Sequence, residues 1–474
     1  MIPNPMLKRA VIFLLHLITV VPSINAQINT FDTKKYSVAE LQEDFNYLRK
    51  YIQDKGTVIY LYNTKKETDD YLDSVYKCIT EPMTGIEFFR LIAPVQAFFK
   101  DVHTSITPGA TIRKTLFENQ HLFPLEIELI DQKVFIEENY SSNSNLDHNQ
   151  EIISINGISM DSIIHKCSLI LPREGYDTGH PLFWLNGNFF YYYYFTYGPS
   201  ETYTLELKTN EGSTTQMETI SGINLETFWA IDEERNPVQN ELNIYTQVND
   251  SLRTVTLTIN TFDNNDIKAN HQSSSRKVID EQFDLILKTG YSNLIIDIRD
   301  NDGGKSSNGA QVLRYLLNSP FKIKQSVRVV KNKHQEDLMK RTRPALYGQF
   351  ERGTYRPHKR RFNGDVYVLM NAGSTSAAVV FAAALDRQNR ATFIGTEMGG
   401  NPIVMGGGLW DNVKETPNTK ISFSFADKCS ILNNLELNNG HGLIPDFTID
   451  KSYEDFILDY DRIMLFTLKL IENK

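Results

Sequence analysis

DVYVLMNAGSTSAAVVFAAALDRQNRATFIGTEMGG, Asp365 to Gly400, decides how this chain folds. Val366 to Met370 is a short continuous apolar run, the pattern of a buried strand. Asn371-Ala372-Gly373 turns the chain, and Ser374 to Leu385, rich in Ala, Val, Phe and Leu, reads as a helix opened by hydroxyls. A strand, a tight turn and a small-residue helix place the first helical turn at the carboxyl edge of a sheet, where α/β proteins keep their chemistry. Ser376 sits there. The first N–H groups of a helix lack intrahelical partners and carry the positive end of its dipole, so an anion forming beside Ser376 meets donors already aimed at it. A hydroxyl at a helix start is also what an N-cap looks like. One cap needs one hydroxyl, whereas Ser374, Thr375 and Ser376 offer three.

Working outward, the chain from about Leu225 alternates strand and helix. RTVTLTINTF is a strand and Ser274 to Thr289 a helix; SNLIIDIRDNDGG is a strand into a glycine turn, GAQVLRYLL a helix, and ATFIG the strand after the Asp365–Gly400 unit. That alternation predicts βαβ crossovers and a mainly parallel sheet. Asp297 and Arg299 lie at a strand's carboxyl end, and Gly303-Gly304 can form a nest of outward N–H groups for an oxyanion. No Lys-Ser/Thr follows those glycines, so this is not a phosphate loop. Lys331 to Arg361, rich in Lys, Arg and His and without a period, reads as an exposed insertion or lid.

The earlier chain differs in kind. SVAELQEDFNYLRKYI has Leu41, Phe45, Leu48 and Ile52 at helical spacing behind a Ser37/Glu40 capping box, and KKETDDYLDSVYKCI and TGIEFFRLIAPVQAFF continue a helical region to about Lys100. KDVHTSITPG then carries His103, which local spacing does not make a metal ligand. From about Leu116 to Ile220 the period shifts toward two: PLEIELIDQKVFIEENY is a hairpin, EIISINGIS a strand into an Asn-Gly turn, and SETYTLELKTNEGSTTQMETI a further hairpin. The aromatic run FWLNGNFFYYYYFTYG, Phe183 to Gly198, is read as a strand stacked against a neighbouring domain, ahead of a ligand surface.

The 474 residues, 41% of them hydrophobic, suffice for two to four domains with a large core. Lys8 and Arg9 ahead of the apolar run Ala10 to Val21, with Ala26 before Gln27, read as a secretory signal peptide over 1–26, with a retained anchor as the alternative. Its removal takes the formal charge from −9 to −11. The acidic balance argues against nucleic acid or an anionic membrane as partner, since both demand clustered Lys/Arg. Cys78, Cys167 and Cys429 are too few for a disulfide scaffold or a structural zinc site and are read as three buried thiols.

DIRDNDGG, TLTINTF and NAGSTSAAVVFAAAL followed by FIGTEMGG together resemble the tail-specific, or C-terminal processing, serine peptidases; DVHTSI, a PDZ-like EIISINGIS and HGLIPDF extend the resemblance in order over most of the mature chain. The resemblance implies an α/β fold: a crotonase-like catalytic domain with a mainly parallel sheet (225–474), an N-terminal helical domain (27–112) and a PDZ-like β-rich domain (113–224). It puts the nucleophile on Ser376 rather than Ser374 and the oxyanion donors on the backbone N–H groups of Ala377 and Gly303. Asn401 stands where the typical member has its Lys base, which disfavours a Ser–Lys dyad. DVHTSI resembles the segment that supplies a His base in the tricorn-like branch, making His103 the base, with Val102 in place of the usual small or hydroxyl residue. The acid that orients that His would be Glu436, with Asp446 and Asp101 behind it; His441 is the rival base. No metal or organic cofactor is implied, the expected partner is a peptide or protein substrate, and the expected location is extracytoplasmic. A non-catalytic binding protein on the same fold is the alternative, favoured by the missing Lys and the aromatic run. An esterase of the α/β-hydrolase type is disfavoured because no G-x-S-x-G surrounds Ser376.

Overall fold

Apolar strands in the second half of the chain line up in one six-stranded sheet: β1 (Ile244–Asn249), β2 (Thr254–Ile259), β3 (Asn293–Asp297), β4 (Asp365–Met370), β5 (Thr392–Gly395) and β6 (Phe447–Thr448). The computed structural model describes residues 34–118, 121–209, 214–236, 242–345, 353–407 and 413–474, so the expected signal segment 1–26 lies outside the described residues. Spatial order equals chain order. β1 and β2 are antiparallel, and every later neighbour is parallel, with Ile296 opposite Val368 and Leu369 opposite Ile394. When crossovers keep one hand and always step the same way, their helices fall on one face. Ser275–Thr289, Ser306–Leu316 and Ala377–Asp386 do so, packing on Leu294, Ile296, Val366, Val368 and Met370. The alternate residues Ile295, Tyr367, Leu369 and Ile394 point the other way, against the C-terminal helix Arg462–Glu472. Each fully buried Val, Leu, Ile or Phe side chain here contributes roughly 1.5–3 kcal/mol.

The N-terminal part is helical, as its spacing predicts. Val38–Lys55 has the Ser37/Glu40 capping box and buries Leu41, Phe45, Leu48 and Ile52; Lys65–Lys77, Gly85–Ile92 and Pro94–Phe99 follow. The middle carries the expected hairpins. Leu125–Ile130 pairs with Lys133–Asn139 across Asp131 and Gln132, both at positive φ, the turn that strand twist favours. A second sheet has Ile152–Ile155 between Ile158–Ser159 and Thr202–Lys208, with Thr215–Ser221 at its edge.

Two expectations are corrected and one refined. The aromatic run is not a strand but two helices, Gly179–Leu185 and Phe189–Tyr197. The second is apolar all round because two cores claim it: Phe189 and Tyr193 face the middle sheet, while Phe190, Tyr194 and Phe195 face the N-terminal helices. The 331–361 segment, read as an exposed insertion or lid, is mostly exposed over 331–340 and tied down just beyond it. Thr342–Pro344 pairs with Ser326–Val330, and the fully buried Arg341 donates to the carbonyls of Gly56 and Gln53 at the C-terminal end of the first helix, where a cation is favoured. All three cysteines are free, but Cys78, at the end of a helix, is exposed.

Candidate active site

The turns after β3 and β4 lie side by side because their strands do, and hydroxyls and glycines fasten them. Ser374 Oγ donates to Ile298 O (2.8 Å), Thr375 Oγ1 to Asp302 O (3.1 Å) and Thr375 N to Asn301 O (2.9 Å). Two of the three hydroxyls are thus used in joining turn to turn. Ser376 occupies the N-cap position of helix Ala377–Asp386 yet makes no capping bond, and its backbone has φ 52° and ψ −113°. A non-glycine residue at such a φ is strained by on the order of 1–3 kcal/mol and persists only where its surroundings hold it. Gly303, at φ 104°, is the surrounding that matters most. A Cβ there would lie 2.6 Å from Ser376 Cβ and 2.8 Å from Ala377 N.

His103 arrives from the helical region by strand pairing. Lys100 ends helix Pro94–Phe99 in the left-handed conformation, and Ser105–Thr107 pairs antiparallel with Ser422–Ser424. That pairing brings His103 Nε2 to 3.2 Å from Ser376 Oγ. Burial lowers the His103 pKa to about 4, with the charges of Lys324 and His180 adding to the effect. The ring is therefore a neutral acceptor at neutral pH. Its Nδ1 is buried without a hydrogen bond, and Asp101 Oδ1 lies 3.8 Å away.

The structure does not bring Glu436 to the imidazole. It lies exposed on the short 3-10 helix Leu435–Leu437, where Asn434 donates to it (3.4 Å). Asp446 accepts from Phe393 N (2.8 Å) on β5 instead. His441 pairs through Nδ1 with Glu397 Oε1 (3.2 Å). Of the two oxyanion candidates, Ala377 N–H has no acceptor among the described residues, whereas Gly303 N–H donates to Asn301 Oδ1 (2.9 Å). Arg299 bridges Asp297 and Asp461, clamping the start of the C-terminal helix to β3.

Sequence reasoning missed two supports. His180 Nδ1 lies 2.9 Å from Ala372 O while Trp184 Nε1–H donates to its Nε2 (3.1 Å), so the ring donates to the nucleophile turn. Asn401 Nδ2 donates to Tyr62 OH (2.9 Å), Tyr62 OH donates to Glu174 Oε1 (2.9 Å), and Glu174 Oε2 accepts from Val102 N (3.4 Å). The position of the absent Lys thus feeds the His103 segment. Nothing in local spacing pointed to Tyr62 or Glu174. Among the described residues no group of three or more His, Cys, Asp or Glu could hold a metal, and no helix is long and apolar enough to cross a membrane.

Fold and pair together define a class, a mixed α/β protein that sets a serine hydroxyl against a neutral histidine. Residues 253–412 match the family model described as peptidase family S41, a match that supports a serine-type peptidase. The structure is similar to that of mature CPAF, with TM-score 0.65, 14% identity and coverage of 92% of this chain and 98% of that one. Mature CPAF complexed with lactacystin gives TM-score 0.63, 14% identity and coverage of 92% and 99%. Likeness at that identity concerns the fold alone. No curated protein matches the chain.

Proposed function

We propose that the protein is a serine endopeptidase that cleaves peptide bonds of extracytoplasmic proteins or peptides, with Ser376 as nucleophile and His103 as general base. The observation that carries this reading is the 3.2 Å approach of His103 Nε2 to Ser376 Oγ across 273 positions of sequence. An imidazole held neutral accepts the hydroxyl proton as Oγ attacks the carbonyl carbon, then returns it to the leaving amine. The oxyanion is received by Ala377 N–H and by Gly303 N–H, the latter shared with Asn301 Oδ1. In this reading 27–112 is a helical domain, 113–224 a PDZ-like domain that captures a peptide by adding it as a strand, and 225–474 a crotonase-like catalytic domain. A cleaved signal over 1–26 delivers it outside the cytoplasm.

A fluorophosphonate probe tests the proposal. Labelling of the full chain at Ser376, absent in Ser376→Ala and His103→Ala, is expected, with peptide cleavage following the same pattern. A second reading, a binding protein on this fold, is favoured by the Gly303 N–H already being engaged. Tight retention of a peptide with neither labelling nor cleavage would establish it.

A further inference from the structure

We propose that Asp101, two residues before the base, is the carboxylate that positions His103, the role the family resemblance gives to Glu436; the assignment rests on the Ser376–His103 reading. The imidazole needs an acceptor at Nδ1 to fix its tautomer and to balance the imidazolium that forms. Nδ1 is buried and unbonded, and Asp101 Oδ1 stands 3.8 Å from it. Asp101 is itself buried and held in place: it accepts from His103 N (3.3 Å), from Thr104 Oγ1 (3.1 Å) and from the Gly406 N–H. Gly406 belongs to strand Val404–Gly407, braced by Lys428–Ile431, and a Cβ on it would lie 2.6 and 2.9 Å from the two Asp101 carboxylate oxygens. The glycine leaves room for that carboxylate. A closure of about 1 Å, within reach of small side-chain rotations, turns the 3.8 Å approach into an N–H···O bond.

In the reaction the Oγ–carbon bond forms as the Ser376 proton moves to Nε2. Nδ1–H keeps its proton and donates to Asp101, whose negative charge faces the imidazolium. When the carbon–nitrogen bond breaks, the Nε2 proton leaves with the amine, and Asp101 is ionised throughout. Burial raises its carboxyl to about 6, opposed by its three hydrogen bonds. Glu174, Tyr62 and Cys429 also face Asp101, and Lys324 and His180 face His103, so the pair titrates among these groups.

The test is the rate of fluorophosphonate labelling of the full chain against pH in wild type, Asp101→Asn, Glu436→Gln, His103→Ala and Ser376→Ala. Asp101→Asn is expected to lower the plateau by at least about 100-fold and to move the acid limb to lower pH from near 6, where Asp101 takes up its proton. Glu436→Gln is expected to lose less. The reverse ranking, or a limb unmoved in Asp101→Asn, overturns the assignment. A spectroscopic readout guards against a folding defect in the variant. In the phosphonylated wild type the Nδ1–H proton should resonate at low field, and its absence there equally overturns the proposal. Labelling that survives in Ser376→Ala, or is missing from wild type, instead sinks the Ser376 reading and the assignment with it. Labelling lost in Ser376→Ala and His103→Ala but indifferent to Asp101→Asn sinks Asp101 alone.

Discussion

At the residue scale the strain at Ser376 and the missing side chain at Gly303 are one device. Ser376 takes a positive φ so that its hydroxyl projects toward His103, and only a glycine opposite leaves it space. Gly303→Ala is therefore expected to displace both Ser376 and the Ala377 N–H, lowering labelling and cleavage by about 10²-fold or more. Its unfolding free energy, read by urea titration, should drop by about 1–3 kcal/mol, since alanine is strained at φ 104° as well. Ser376 was legible because a strand, a turn and a small-residue helix announce themselves locally. His103 was legible only through the motif around it, since its neighbours in sequence say nothing of what it meets. Glu436, which the structure leaves exposed beside Asn434, shows the reverse: an acid at a plausible distance along the chain carries no information about which way the loop folds. Asp101, two residues from the His, ranked behind it, although among the described residues it is the buried carboxylate that stands 3.8 Å from the ring.

At the element scale the decisive contact is the short pairing of Ser105–Thr107 with Ser422–Ser424. Gly109 extends it. A Cβ on Gly109 would be built against the backbone carbonyl of Lys420, which has nowhere to go. Gly109→Ala should push the His103 segment off its partner strand, so both labelling and thermal stability fall. The expected stability loss is about 1–3 kcal/mol, as for overpacking elsewhere, and a variant of unchanged stability and rate would show that the strand junction is slack. The helical and hairpin elements were readable because their periods are undisturbed by tertiary context. The aromatic run was not, because a helix buried on every side has no polar face to reveal its period, and aromatic residues by themselves favour strands.

At the scale of the whole molecule, buried acids and imidazoles offset one another on acidification. Burial lowers His103 and His180 to about 4, below the usual value near 6.5, so the unfolded chain binds protons there that the folded one refuses, and stability falls as pH drops below about 6.5. Burial raises Asp101 and Asp177 to about 6, so the folded chain takes up protons the unfolded one does not until near pH 4, and stability gains over the same range. Asp177→Asn removes one of the compensating groups. Between pH 6 and 4 its stability should fall more steeply than that of wild type, by up to about 1.4 kcal/mol per pH unit, measured as urea midpoints at several pH values; parallel curves would show that Asp177 does not titrate in this window. The parallel sheet could be foreseen from alternating patterns, whereas the contacts joining the first hundred residues to the last hundred could not, because no local period encodes them.

The separation of imidazole and hydroxyl along the chain has a consequence for synthesis. A polypeptide leaving the ribosome presents His103 early, Ser376 much later, and the strand that unites them, Ser422–Ser424, later still. On the proposed Ser376–His103 reading, a growing molecule lacks the pair, and with it the hydrolytic activity, until nearly all of it has emerged and closed.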